Sequence, residues 1–226
     1  MEDFMPFIVV AVALLLVAGG AWYSHVAAKK RKEAFVEVAE SMGLVSSPEG
    51  DAELLNRFSN FKLFNQGRAR KMKNVVQGDS GEVKIAIFDY QYTTGSGKQS
   101  HTHQQSVVSL QSNNLRSPDF TMRPEGMLDR IGGALGFQDI DFDSHPLFSN
   151  MFVLKSSNEQ AVREFFSPAL LEFFEDKKGI SVEAQTGALF FYRPGKRIKP
   201  HEVKDCLLYT SPSPRDRTRS RMPSSA

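Results

Sequence analysis

An apolar stretch without charge near the N-terminus constrains this chain more than any other feature. Residues 4–28 contain no Lys, Arg, Asp or Glu, and their central part reads FIVVAVALLLVA. A helix rises about 1.5 Å per residue, so about 20 residues cross a hydrocarbon layer of about 30 Å. The sequence therefore predicts a transmembrane helix over residues 5–27, preceded by a short extracytoplasmic N-terminus over residues 1–4.

The charges on either side of this stretch predict its orientation. Two acidic residues precede it, and four basic residues follow it: Lys29, Lys30, Arg31 and Lys32. Signal peptides carry positive charge before the apolar run, so this reversed arrangement favours an uncleaved anchor over a cleaved signal peptide. Basic residues next to a span stay on the cytoplasmic side. We therefore expect a single-pass protein of the inner membrane with its N-terminus outside and its C-terminal domain in the cytoplasm.

The residues at the cytoplasmic end of the span predict contact with lipid. Trp22 and Tyr23 fit the aromatic belt that lies at membrane interfaces. The basic run Lys29–Lys32 orients the span, and it could also attract anionic head groups at about 1 kcal/mol per cation. We expect these residues at the membrane interface, with the lipid bilayer as a partner.

The C-terminal segment differs in composition from the rest of the chain. Residues 206–216 read CLLYTSPSPRD, and this string resembles, residue by residue, the translation of a transposase-type sequencing adapter; residues 220–226 match its continuation. A basic disordered tail that contacts lipid or nucleic acid is the alternative interpretation. We expect residues 206–226 to be non-native, with the natural protein continuing past Asp205.

Leaving out this tail changes what the composition implies. The number of Lys and Arg falls from 28 to 24 and that of Asp and Glu from 26 to 25, so the net charge changes from +2 to −1. The only cysteine, Cys206, lies in the tail. Residues 1–205 therefore offer neither a disulfide framework nor a thiol nucleophile, and we expect no nucleic-acid partner.

The remaining residues predict one cytoplasmic domain of α+β class over residues 46–205. Residues 28–45 form the basic flank and an amphipathic helix over Glu33–Gly43 that continues from the anchor. Apolar residues then alternate in residues 71–77, 82–92 and 101–111, which predicts an antiparallel meander of three strands with both faces partly covered. A helix is expected to begin at Ser47-Pro48.

The second half of this domain carries strong start and stop signals. Strands are expected at 120–123, at 152–155 and in a hairpin over 180–184 and 188–193, with an edge segment at 139–143. Helices are expected over 125–135, after Asn158, after Ser167-Pro168 and from Pro200. The fold class is an antiparallel sheet with helices packed on it; a roll or barrel like that of PH domains is the alternative.

The glycine loop between the second and third strands resembles a phosphate-binding loop only in part. Gly95, Gly97 and Lys98 supply glycines before a lysine, but the complete motif needs glycine where Tyr92 stands and Ser or Thr where Gln99 stands. That motif also joins a strand to a helix rather than two strands. We expect a hairpin tip, and we keep its three motif residues as candidates for a ligand loop.

Two polar clusters could ligate a metal. His101 and His103 alternate on a strand, so their imidazoles share a face. Asp141, Asp143 and His145 alternate in the same way beside Asp139, although the spacing does not fit a calcium loop. We expect solvated polar faces and no cofactor; the alternative is a metal-dependent hydrolase that uses both histidines with Asp141 or Asp143.

Four segments resemble an uncharacterised family of bacterial single-pass membrane proteins. They read FDYQYTTGSGK at 88–98, HTH at 101–103, DIDFDSHP at 139–146 and FYRPG at 191–195. The resemblance implies a membrane-tethered cytoplasmic domain and brings no catalytic residue, and the chain lacks the Gly-x-Ser-x-Gly signature of serine hydrolases. We therefore expect a binding or scaffold domain for a membrane or cytoplasmic protein, rather than an enzyme.

Overall fold

The computed structural model describes residues 5–126, 139–185 and 187–210. Its elements, in chain order, are α1 (Met5–Ser41), β1 (Val45–Ser47), α2 (Ala52–Arg57), α3 (Lys62–Asn65), β2 (Arg68–Asp79), β3 (Lys84–Thr94), a 3-10 turn (Gly97–Gln99), β4 (His101–Gln111), β5 (Phe120–Pro124), α4 (Pro146–Met151), β6 (Phe152–Lys155), α5 (Glu159–Phe165), α6 (Pro168–Glu175), β7 (Ser181–Gln185), β8 (Ala188–Tyr192) and α7 (Pro200–Thr210).

The eight strands of the described residues all belong to one open sheet, in the order β1-β2-β3-β4-β8-β7-β5-β6. Each neighbouring pair is antiparallel. The predicted meander is confirmed as β2-β3-β4, and the predicted C-terminal hairpin is β7-β8. The open α+β sheet is therefore confirmed, and the alternative of a closed roll is not adopted.

Both faces of the central strands are covered, as the alternation in β3 predicts. Phe88 and Tyr90 lie in a buried cluster with residues of α2 and α3. Ile85 and Ile87, one residue out of step, lie in a second cluster on the opposite face with residues of α1 and α7. The sheet is therefore sandwiched between helices where β2, β3 and β4 cross its centre.

A third cluster, rich in phenylalanine, joins β5, β6 and β7 to α4, α5 and α6; its buried aromatic members are Phe120, Phe142, Phe148, Phe152, Phe166 and Phe174. The predicted helix starts are present here. The Asn158 side chain accepts a hydrogen bond from the Ala161 N–H at 3.0 Å, and Pro168 is in the first turn of α6. These caps fix the entry of both helices.

The first helix joins the apolar stretch to the domain without a break. It spans 37 residues, and within the described part of the chain it is the one helix long and apolar enough to cross a membrane. Its residues up to Lys30 are largely exposed, whereas Phe35 and Ala39 are fully buried against the sheet. The predicted amphipathic helix is therefore the C-terminal part of α1.

Some local predictions are wrong. Ser47 lies in β1 and does not cap a helix; Asp51 caps α2, because its carboxylate accepts a hydrogen bond from the Leu54 N–H at 2.8 Å. Residues 139–143 form no strand, although Ile140 and Phe142 are buried between exposed acidic residues as the alternation indicates.

Two further predictions concern segments that extend beyond the described residues. The helix expected over 125–135 lies mostly outside them. The helix expected from Pro200 is α7, which runs past residue 205 to Thr210 and buries Val203 and Leu207 in the cluster that contains Phe35. The non-native origin of residues 206–226 stays a prediction.

Candidate functional site

A buried ion pair joins α1 to the centre of the sheet. The Arg31 Nε donates to Asp89 Oδ2 and an Arg31 terminal nitrogen donates to Asp89 Oδ1, both at 2.7 Å. The Arg31 side chain is 13% exposed and that of Asp89 is 11% exposed. The guanidinium carbon also lies 4.8 Å from the centre of the Phe35 ring. Paired bonds in this two-pronged geometry fix the orientation of the helix as well as its position.

Polar groups from three other segments complete this pair. The Asn74 amide donates to Asp89 Oδ2 at 2.8 Å, and the Ser106 hydroxyl donates to Asp89 Oδ1 at 2.7 Å. Asn74 has a φ of 51° beside a register shift in β2, an irregularity that accompanies its contact with the carboxylate. The Ser106 hydroxyl accepts from the Ile198 N–H at 2.9 Å. We call Arg31, Asp89, Asn74 and Ser106 the clamp.

The contacts of the clamp and of its neighbours show which end of the sheet lies nearer to the apolar, N-terminal half of α1. Leu44 lies against Gly78, which is opposite Ile85; Phe35 shares a cluster with Ile87; and Arg31 contacts Asp89. Moving along α1 towards its N-terminus therefore means moving along β3 towards Thr94. We call the end of the sheet at Thr94 the anchor end, and the opposite end, at Lys84, the far end.

The glycine loop forms the tip of the β3-β4 hairpin at the anchor end. The Arg68 guanidinium donates to the Gly95 carbonyl and, at 3.1 Å, to the Ser100 hydroxyl. Gly95 has a φ of 74°, and a Cβ there would lie 2.3 Å from the Gln99 carbonyl oxygen. Gly97 and Lys98 lie in the exposed 3-10 turn. The tip is therefore a tight, basic turn that is closed by Arg68.

The two histidines share a face of β4, as predicted. Their ring centres are 5.8 Å apart. The ring of His103 stacks on Tyr92 with centres 4.7 Å apart, and its Nε2 lies 2.9 Å from the Thr94 hydroxyl. These contacts hold the His103 ring against the hairpin.

The acidic cluster lies elsewhere. Asp141, Asp143 and His145 precede α4 beside β6, where the Asp141 carbonyl accepts from Arg163 at 2.8 Å and His145 Nδ1 lies 3.0 Å from the Ser144 hydroxyl. Four strand spacings separate β4 from β6, or about 19 Å. The structure does not bring the two clusters together, and among the described residues no three His, Cys, Asp or Glu side chains form a group that could hold a metal.

The four basic residues after the apolar stretch have different surroundings. Arg31 faces the sheet, where it forms an ion pair with the buried Asp89 carboxylate. This position differs from the expectation that Arg31 lies at the lipid interface. Lys32 forms an ion pair with Glu49, and Lys29 Nζ lies 3.9 Å from Glu33 Oε1. Lys30, Trp22 and Tyr23 are exposed. Sequence reasoning missed the clamp, although one signal was present: Asp89 interrupts the apolar face formed by Ile85 and Ile87.

A second buried acid, also missed, lies under α3. Glu183 is 5% exposed; its carboxylate accepts from the Tyr192 hydroxyl at 3.0 Å and from the Leu63 N–H at 3.1 Å. Burial raises the pKa of the Glu183 carboxyl above its ordinary value. Burial likewise raises the pKa of the nearby Tyr90 hydroxyl. This group ties α3 to β7 and β8.

Comparisons with known protein families and with curated proteins find no match. One solved structure is similar: the crystal structure of the mycobacterial trehalose monomycolate transport factor A, TtfA. The sequence identity is 14% and the TM-score is 0.52, and the alignment covers 83% of this chain and 98% of that chain. The chain therefore shares its fold with TtfA.

Proposed function

We propose that this protein is a single-pass membrane protein whose α+β domain binds a membrane or cytoplasmic protein partner and acts as a scaffold rather than as an enzyme. The observation that carries the proposal is the clamp. Because α1 is one continuous helix and Arg31 is bound in the sheet, the domain is fixed to its anchor instead of hanging on a flexible linker. A fixed domain presents a constant surface to neighbours in the membrane.

The fold comparison supports the same class of role. TtfA is named a transport factor for trehalose monomycolate, and its fold covers most of this chain. From that name we carry over only the expectation of a role in transport. Membership of a bacterial family of single-pass proteins, an inner-membrane location and an external N-terminus are part of this proposal, and the basic run after the span supports the orientation.

The proposal is tested by photo-cross-linking in intact cells. A benzophenone amino acid is placed at Leu147 or at Val45, two exposed apolar positions outside the buried clusters. Recovery of one and the same cross-linked protein in repeated preparations, from at least one of these positions, is the expected result. Recovery of no specific protein, together with chemical turnover by the purified full chain, would replace the scaffold with an enzyme. A fluorescent protein that matures only in the cytoplasm, fused to the C-terminus, checks the orientation.

A further inference from the structure

The structure sorts the exposed positive charge of the domain towards the anchor end of the sheet. The first strand residues of β2 lie opposite the last ones of β3, at Arg68 and Thr93, and β4 begins beside the same tip. The end of β8 and the start of β7 pair at Tyr192 and Ser181, so the loops next to them point the same way. The basic residues that this arrangement collects are Arg68, Arg70, Lys71, Lys73, Lys98, Lys177, Lys178, Arg193, Lys196, Arg197 and Lys199.

Three of these segments contain no acidic residue, whereas Glu175 and Asp176 directly precede Lys177 at the end of α6. Residues 68–73, 90–104 and 193–199 contain no Asp or Glu. Asp89, at the border of the hairpin, is used by Arg31. At the far end, by contrast, the turn 79–84 mixes two acidic residues with Lys84, whose Nζ lies 3.6 Å from Asp79 Oδ2. The concentration of positive charge at one end of the sheet is therefore produced by the fold, because the basic segments are far apart in the sequence.

The loop over residues 193–199 is held next to the clamp. The Ser106 N–H donates to the Lys196 carbonyl at 3.0 Å, while the Ser106 hydroxyl accepts from Ile198 N–H. The Arg193 Nε donates to the Lys178 carbonyl at 3.4 Å. The basic loop therefore lies at the level of Arg31, about 4.5 Å along the helix from Ala28, where the charge-free stretch ends.

The β3-β4 hairpin extends beyond that level. From Asp89 to Thr94, β3 advances about 17 Å in the direction of the apolar half of α1. The head-group layer is about 5–7 Å thick on each side of the hydrocarbon core, so the hairpin is long enough to enter it. Residues 93–104 contain no apolar side chain. Their chemistry fits head groups and not acyl chains.

An exposed aromatic side chain provides a second, independent observation at this end. Phe173, in the last turn of α6, is 52% exposed, and Lys177 Nζ lies 5.0 Å from the centre of its ring. The chain continues through Lys178 into β7 at the anchor end. Helices that lie in the membrane interface place apolar side chains such as Phe in the acyl boundary and keep Lys and Arg among the head groups.

We infer that the anchor end of the sheet docks on anionic lipid head groups of the cytoplasmic leaflet, through the β3-β4 hairpin, the loop 193–199 and the end of α6. This inference rests on the proposed function, because it requires α1 to cross the membrane. It makes the bilayer surface a binding partner of the folded domain, and it assigns the glycine loop to that surface and not to a nucleotide.

The test measures lysine acetylation in the full chain, reconstituted in nanodiscs of phosphatidylcholine with or without phosphatidylglycerol. A surface potential of about −30 mV lowers the neutral fraction of an amine about threefold. We therefore expect Lys98 and Lys196 to acetylate at least about threefold more slowly in the anionic discs. Lys84, whose side chain is 62% exposed at the far end, is the internal control and should not change.

A matched pair of variants separates docking from general charge effects. Lys196→Gln/Arg197→Gln removes two cations from the anchor end, which weakens docking by about 2 kcal/mol, or about 30-fold. Lys98 should then regain its phosphatidylcholine rate. Lys84→Gln/Arg116→Gln removes two exposed cations from the far end and should leave Lys98 protected. Arg116 belongs to the far end because it precedes β5, and β5 enters the sheet opposite Ala184, in the half of β7 that points away from the anchor end.

Each outcome decides the inference. Equal acetylation rates of Lys98 and Lys196 in the two lipids, or equal slowing of Lys84, would overturn it. Protection of Lys98 and Lys196 from acetylation in discs of phosphatidylcholine alone would also overturn it, because docking would then not require anionic lipid. If these rates are unchanged while the cross-linking experiment still recovers a partner, this inference fails and the proposed function stands; a chain that does not enter the discs would remove both.

Discussion

At the scale of single residues, the Arg31–Asp89 pair illustrates why a buried charge is kept only with its counterpart. Arg31→Met alone leaves the Asp89 carboxylate desolvated beside Asn74 and Ser106, and we expect a loss of about 3–5 kcal/mol in the free energy of unfolding. Adding Asp89→Asn removes the uncompensated charge and should recover about 1–3 kcal/mol of it.

Denaturant unfolding of the full chain in detergent, followed by circular dichroism, measures both values. Lys30→Met is the control, because Lys30 is exposed one residue earlier in the same helix, and its effect should stay within about 0.5 kcal/mol. If the double variant is as unstable as Arg31→Met or less stable, the buried carboxylate is not the source of the loss.

Glu183 gives a dependence of stability on pH. Its pKa in the folded protein is raised above the ordinary value of 4.5, mainly by burial, so folding favours the protonated carboxyl. The stabilisation is fully present below pH 4.5 and is lost as the pH rises through the raised pKa. Glu183→Gln should abolish this decline and be more stable than the unaltered protein at pH 8, by about 1 kcal/mol.

Urea unfolding at a series of pH values from 4.5 to 8 measures this effect. Glu82→Gln, at an exposed position in the turn before β3, serves as the comparison and should leave the decline in place. A Glu183→Gln protein whose stability still falls with pH as steeply as that of the unaltered chain would show that another group is responsible.

At the scale of elements, the β3-β4 hairpin offers a matched pair of glycines. Both Gly95 and Gly97 have positive φ, at 74° and 53°, so alanine is strained at either position by about 1–2 kcal/mol. Only Gly95 also has a backbone oxygen, that of Gln99, 2.3 Å from the position of an added Cβ. Gly95→Ala should therefore lower the melting temperature clearly more than Gly97→Ala. Equal effects would mean that the tip rearranges freely.

The elements also show which parts of this fold a sequence can predict. Alternation predicts β3 and β4 to within two residues, because each side chain reports burial on its own face. The three residues of β1 carry too short a pattern, and the pairing of β4 with β8 depends on contacts between distant segments. The clamp has the same difficulty, because Arg31 and Asp89 are 58 positions apart and the basic run by itself predicts only an ordinary membrane flank.

At the scale of the whole molecule, the length of α1 sets the distance between the anchor and the sheet. If docking depends on the length of α1, inserting eleven helix-forming residues between Lys30 and Arg31 should abolish it. Eleven residues make about three turns, so the clamp keeps its orientation around the helix axis while the domain moves about 16 Å away from the membrane. That displacement nearly equals the reach of the hairpin past Asp89. Acetylation of Lys98 in anionic nanodiscs should then return to its phosphatidylcholine rate, with the stability of the sheet unchanged.

The same eleven residues placed before Phe4 lengthen the chain on the other side of the span and should leave Lys98 protected. Because neither insertion changes the charge or the contacts of the anchor end, a difference between the two proteins can only come from the spacing that α1 sets. Protection that survives the insertion after Lys30 would mean that the domain reaches the lipid by bending at the inserted turns. The rigid connection through the clamp would then not be what positions the basic surface.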